Sequence, residues 1–125
     1  MSTNDDHRKI AIEFLQLASS GNVHDAFRRV KPNFRHHNPH FAGDAMTLSH
    51  AMATNAKENP NKVFEVKRSV AEGDLVAVHS RVRLKPGAQD VAVVHIFRFE
   101  DGRIAELWDV GQPVPSDSSN EHGMF

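Results

Sequence analysis

Two residues near the end of the chain, Asp109 and His95, have the types and surroundings that proton-transfer chemistry needs. General acid/base work calls for a carboxyl or imidazole group in an apolar setting, where desolvation brings its pKa toward neutrality. Asp109 lies near the end of a largely apolar stretch, Ile104 to Val110, and is a candidate for general acid and base. The alternative is a strand-end carboxylate that makes a turn or a salt bridge. His95 shares a strand face with Val91, Val93, Phe97 and Phe99. Its ring either walls a pocket together with Phe97 or sits satisfied in the core.

Register decides whether the two can meet. With Glu100-Asp101-Gly102 as a three-residue hairpin loop, Phe99 pairs with Arg103 and His95 with Leu107, placing Asp109 diagonally from His95 on one face. With Asp101-Gly102 as a two-residue turn, Phe99 pairs with Ile104, His95 faces Trp108, and Asp109 turns away. The three-residue loop is favoured because it also brings Arg98 and Glu106 onto one face as opposite charges.

Further imidazoles invite a metal reading. RHHNPHFAG, residues 35 to 43, holds His36, His37 and His40, and His79 lies on a strand face with Leu75, Ala77, Arg81 and Arg83. Adjacent residues of an extended segment point opposite ways, so His36 and His37 do not chelate together, whereas His37 and His40 flank a proline turn. No HExxH or comparable carboxylate pattern accompanies them, and no metal site is expected. His79 reads as a pocket-rim residue or a surface strand histidine, and Trp108 as a pocket wall or packing residue. Arg81, Arg83 and Arg98 either hold a ligand carboxylate or are solvated.

These residues need elements to position them. Ile10, Phe14, Leu17 and Ala18 recur at helical spacing, with Gly21 as a stop. Asn22 stands at an N-cap position before a second stripe, Val23, Ala26, Phe27 and Val30, that ends ahead of Pro32. Asp44 caps a third helix carrying Met46, Leu48, Ala51 and Met52. From Lys62 the period becomes strand-like: Phe64, Val66 and Val70, then Leu75 to Leu84, Val91 to Phe99 and Ile104 to Val110, separated by Gly-containing turns. Helices followed by an antiparallel meander predict a single α+β domain over residues 1–125, with 1–7 and 116–125 as loose ends.

Composition narrows the partners. With 15 basic and 16 acidic residues and no cationic run, the chain has no nucleic-acid or lipid footprint. No cysteine means no thiolate nucleophile and no disulfide framework, and no apolar window approaches a membrane span. A charged N-terminal segment in place of a secretory signal makes the cytoplasm the expected address. The Val91 strand is apolar on both faces, Ala92, Val94 and Ile96 opposing the His95 face. Helices cover one side; the other is expected to meet a second copy of the chain, or else the C-terminal tail.

Three stretches resemble the SnoaL-like proteins of the nuclear transport factor two-like superfamily: HNP at His37 to Pro39, EGDLVAVHSRV at Glu72 to Val82, and HIFRFEDGRIAELWDVGQPVP at His95 to Pro115. The resemblance covers about residues 8 to 115. It implies a cone, a strongly curved sheet packed with three N-terminal helices around a central pocket. It also implies cofactor-independent chemistry of the kind by which SnoaL closes a polyketide ring through intramolecular aldol condensation. Asp109 matches the acidic position of the family's Trp-Asp pair. His95 is a departure, since the family pattern carries a carboxylate there, followed by the same IFR. By the same resemblance His37 is assigned to the pocket with Asn38, leaving His36 and His40 on the surface.

Three functions follow for this fold: a cyclase acting on a small apolar carbonyl compound, an isomerase or dehydratase, and a non-catalytic ligand-binding homodimer. The tyrosine-based oxyanion hole of ketosteroid isomerase is unavailable to a chain without tyrosine.

Overall fold

The first helix buries one stripe of small and aromatic side chains, Ala11, Phe14, Leu15 and Ala18, while Ile10 and Leu17 pack at its edges. In the computed structural model, which describes residues 3–125, this helix α1 spans Thr3–Ser19. It therefore begins inside the segment expected to be loose. His7 is buried, stacks on Phe99 at 4.2 Å between centroids and places Nδ1 3.2 Å from the Gly73 carbonyl. Gly21, at φ 92°, ends the helix, and the amide of Asn22 donates to the Leu17 carbonyl at 2.9 Å.

Helix α2 is a short turn, Val23–Phe27, and the Asn22 side chain makes no capping bond. Val30, expected to continue that helix, instead opens strand β1 (Val30–His36) and pairs with Ile104. Pairing outcompetes the helical stripe because Val30 is β-branched and Pro32 follows closely. Helix α3 (Ala45–Glu58) starts as expected at Asp44, whose carboxylate accepts from the Thr47 amide at 2.9 Å and its hydroxyl at 2.7 Å. None of the described helices is long and apolar enough to cross a membrane.

Four strands follow: β2 (Val63–Glu72), β3 (Leu75–Arg83), β4 (Val91–Glu100) and β5 (Arg103–Pro113). They form an antiparallel meander to which β1 adds in parallel beside β5, in the order β1-β5-β4-β3-β2. Bulges bend the sheet, as an extra residue in one strand does. In β2 the register shifts between Val66 and Arg68, so the alternation that carries Phe64 and Val66 inward sends Val70 outward, where it is 68% exposed.

The inner face of the bent sheet carries Val76 and Val78 from β3 and Phe97 and Phe99 from β4, all buried. Phe97 meets Phe14 edge-on at 5.9 Å, and Phe14 and Phe34 both pack on Phe27. This aromatic cluster fills the narrow part of the α+β cone and leaves the wider part to a cavity. On the outer face Phe125 returns from the C-terminal tail to stack on His79 at 5.8 Å, beneath Lys67 Nζ. The end expected to be loose thus touches the sheet.

Candidate functional site

Strands β4 and β5 settle the register by a combination of the two expected turns. Asp101-Gly102 is a two-residue turn, with φ of 53° and 75° and Glu100 paired with Arg103. This corrects the three-residue loop. An Asp-Gly pair accommodates positive φ at both positions, so the tighter turn forms. Ala105 then bulges out between the Phe99–Ile104 and Arg98–Glu106 pairs. The extra residue restores the parity that the tight turn removed, and His95 pairs directly with Asp109.

Both face a cavity of about 370 Å³ between the inner face and the helices. Its walls are mostly apolar, with Leu15 from α1, Leu48 and Met52 from α3, and Phe64, Val93 and Leu107 from the sheet. Asn38, in the segment after β1, donates from Nδ2 to Asp109 Oδ2 at 3.0 Å, while its own Oδ1 accepts from the His40 amide at 2.9 Å. One carboxylate oxygen is thereby fixed and the other is left for a ligand. A half-buried carboxylate directly opposite an imidazole, at the wall of a mostly apolar cavity, can remove and return a proton at carbon.

His95 is buried, and its Nδ1 has no hydrogen-bond partner among the described residues. Burial pushes its pKa down to about 4, the Asp109 charge acting in the opposite direction. The ring is therefore neutral at pH 7, able to donate or accept one hydrogen bond rather than carry charge.

Of the histidines of RHHNPHFAG, His40 is exposed as expected, while His36 and His37 exchange the places expected for them. His36, not His37, is buried and lines the cavity, because β1 turns Phe34 and His36 inward. Both its nitrogens are engaged: Nε2 lies 2.6 Å from the Ala42 carbonyl and Nδ1 accepts from the Asn38 amide at 3.1 Å. Only the neutral Nε2–H tautomer satisfies both bonds, so His36 is a brace that shapes the loop and presents Asn38. His37 projects from the outer face, where it stacks on Trp108 at 5.0 Å and reaches Glu106 with Nε2 at 2.6 Å.

Other expected site residues also lie away from the cavity. Trp108 shares the outer face with His37 because it alternates with Leu107 and Asp109, which point inward. His79 is on that same face, bonded to Arg68 and covered by Phe125. Phe97 points inward but is fully buried below the cavity, against Phe14. Arg81 and Arg83 hold Asp90 rather than a ligand. Arg98 joins Arg35 and His37 around Glu106, at 3.0, 2.9 and 2.6 Å, and the Arg35 guanidinium above all pulls the Glu106 pKa down to about 2. This buried carboxylate is a structural clamp between β1, β4 and β5. Among the described residues no three His, Asp or Glu side chains stand close enough to hold a metal ion together.

Sequence reasoning missed three polar residues in the cavity wall, Ser19, Asn55 and Lys62. The signal for Lys62 was present: just ahead of β2 and two residues before Phe64, it has the parity of that inward-facing side chain.

A bent five-stranded sheet closed by helices over a cavity is the architecture of the nuclear transport factor two-like proteins. AclR from Streptomyces galilaeus, a proposed hydroxylase, has it with a TM-score of 0.76, at 20% identity over 88% of this chain and 91% of its own. A proposed ketosteroid isomerase from Kribbella flavida matches with a TM-score of 0.75, at 16% identity over 98% of this chain and 90% of its own. A proposed polyketide cyclase from Bacillus cereus matches with 0.74, at 21% identity over 86% of this chain and 74% of its own. At such identities the likeness concerns the fold. The chain belongs to the SnoaL-like domain family, whose model matches residues 11–107. No curated protein matches it in sequence.

Proposed function

We propose that this protein transfers protons at carbon on a small, largely apolar carbonyl compound held in the cavity, in the manner of an aldol cyclisation. The observation that carries this is the direct pairing of His95 and Asp109 across β4 and β5, with Asn38 fixed on the Asp109 carboxylate. Asp109 removes a proton from the carbon beside a carbonyl, and the electron pair moves onto the carbonyl oxygen as an enolate. The enolate carbon then bonds to a second carbonyl carbon of the same molecule, and the alkoxide formed there takes the proton back from Asp109. His95 serves the enolate oxygen. An unpaired N–H is costlier to bury than an unpaired lone pair, so the partnerless Nδ1 carries no proton and Nε2–H donates. A neutral imidazole is suited to that electrophilic role.

Heptane-2,6-dione tests the reading, since its aldol closure and dehydration give 3-methylcyclohex-2-enone, which absorbs in the ultraviolet. The enzyme should accelerate closure, and Asp109→Asn should abolish the acceleration. Proton exchange without ring closure would instead favour the isomerase or dehydratase alternative, and binding with neither would favour a non-catalytic module.

The outer face supports a homodimer through the sheet. Val110 is 67% exposed and Val70 68%, and Trp108 and Ile96 are only half-buried. A monomer gains nothing from such a face, whereas a second copy buries it. A cysteine-free chain suits a reducing compartment such as the cytoplasm.

A further inference from the structure

Lys62 stands in the cavity wall without a counter-charge. Its Nζ donates to Asn55 Oδ1 at 2.6 Å, a neutral acceptor on α3, and burial lowers its pKa with no carboxylate opposing the shift. Among the described residues, the only acidic side chain in the wall is Asp109, which belongs to the other end. Lys62 precedes Val63, which pairs with Arg83, so it falls beside Leu84; His95 pairs with Val78. Leu84 and Val78 are separated by about 20 Å of strand at roughly 3.3 Å per residue. One cavity thus has a cation at one end and the His95–Asp109 pair at the other, with an apolar middle.

A half-buried ammonium with one amide partner is costly unless something neutralises it. On the outer face several cations have carboxylate partners, Arg81 and Arg83 at Asp90 and Arg35 and Arg98 at Glu106, while Arg68 meets His79. Lys62 lacks such a partner and faces the space where a ligand would lie.

We propose that the cavity takes an elongated oxo acid, its carboxylate paired with Lys62 and Asn55 and its ketone delivered to His95 and Asp109. This rests on the proton-transfer reading above and adds the charge and shape of the substrate to it. Lys62 acts as a binding residue that sets specificity and orientation, and remains covalently unmodified.

The test uses 7-oxooctanoate and its neutral isostere 7-oxooctanamide, with affinities from calorimetry and deuterium exchange beside the ketone followed by NMR in D2O. The acid should bind the wild type about tenfold more tightly than the amide, as a charge-assisted hydrogen bond implies. That ratio should fall to near one in Lys62→Met and recover in Lys62→Arg. Equal affinities in the wild type, or a ratio that survives Lys62→Met, would overturn the assignment. If exchange beside the ketone persists in those cases, the proton-transfer reading stands alone. A ratio that behaves as expected while neither ketone exchanges would support the anion site and sink the catalytic reading instead. Failure of both probes to bind would overturn the oxo-acid site. So would a borohydride-trapped adduct on Lys62, which would make the amine an imine-forming nucleophile.

Discussion

His95 makes the protein's stability depend on pH in a calculable way. Folded, the ring is neutral and holds off its proton until about pH 4; unfolded, it takes one near 6.5. Between those values the unfolded chain binds the extra proton, so stability falls as pH falls, and the loss levels off once the folded form is protonated too. A separation of this size, at 1.36 kcal/mol per pH unit, corresponds to about 3 kcal/mol. That is a large share of the 5–15 kcal/mol typical of a domain. The contrast is with His95→Leu, which fills similar volume and does not titrate. Because Nδ1 has no partner to lose, the variant should lie within about 1 kcal/mol of the wild type at pH 7.5. Urea unfolding from pH 7.5 to 4 should then show the wild type losing about 3 kcal/mol relative to the variant. Contributions common to both proteins cancel in the difference. A constant difference across that range would refute the burial of a neutral ring at this position.

Glu106 acts in a lower window. Its folded pKa is about 2 against an ordinary 4.5, so its stabilisation is complete above 4.5 and disappears as pH falls toward 2. Glu106→Gln should lower Tm by about 5–10 °C at neutral pH, because Arg35, Arg98 and His37 lose their common acceptor, and should flatten the acid limb of the stability curve. Gly102→Ala should cost about 1 kcal/mol in denaturant unfolding, since φ there is 75° and no neighbouring atom obstructs the added methyl. The proposed dimer predicts a wild-type mass of twice 14.0 kDa by light scattering and 14.0 kDa for Val110→Lys; a wild type of 14.0 kDa, or a mass that the substitution leaves unchanged, would contradict pairing through this face.

Most of the residues that resisted sequence reasoning share one cause. Helix caps and turns are local chemistry, so Asp44 and the Gly21 stop read directly from residue type. Side-chain parity is not local. Asp109 shares the face of His95 as expected, but through a tight turn and one extra residue at Ala105 rather than a three-residue loop, and an extra residue in β2 sends Val70 outward; period-two counting registers neither bulge. The pair His36-His37 posed the same problem without a bulge. Opposite directions were legible, but which ring went inward depended on how β1 docks beside β5. Trp108 followed the same logic, turned outward as soon as Asp109 turned in. Val30 failed differently, through a tertiary pairing with Ile104 that outweighed a helical stripe.

Proton transfer at Asp109 is most directly measured by deuterium entering 2-tetralone beside its carbonyl, followed by NMR in D2O at neutral pH. This compact apolar ketone needs neither ring closure nor an anionic group. The wild type should exceed the buffer rate, and Asp109→Asn should lose about 100-fold or more of that excess, the usual scale of a positioned acid/base group. An exchange rate equal to buffer, or one that Asp109→Asn retains, would contradict the assignment.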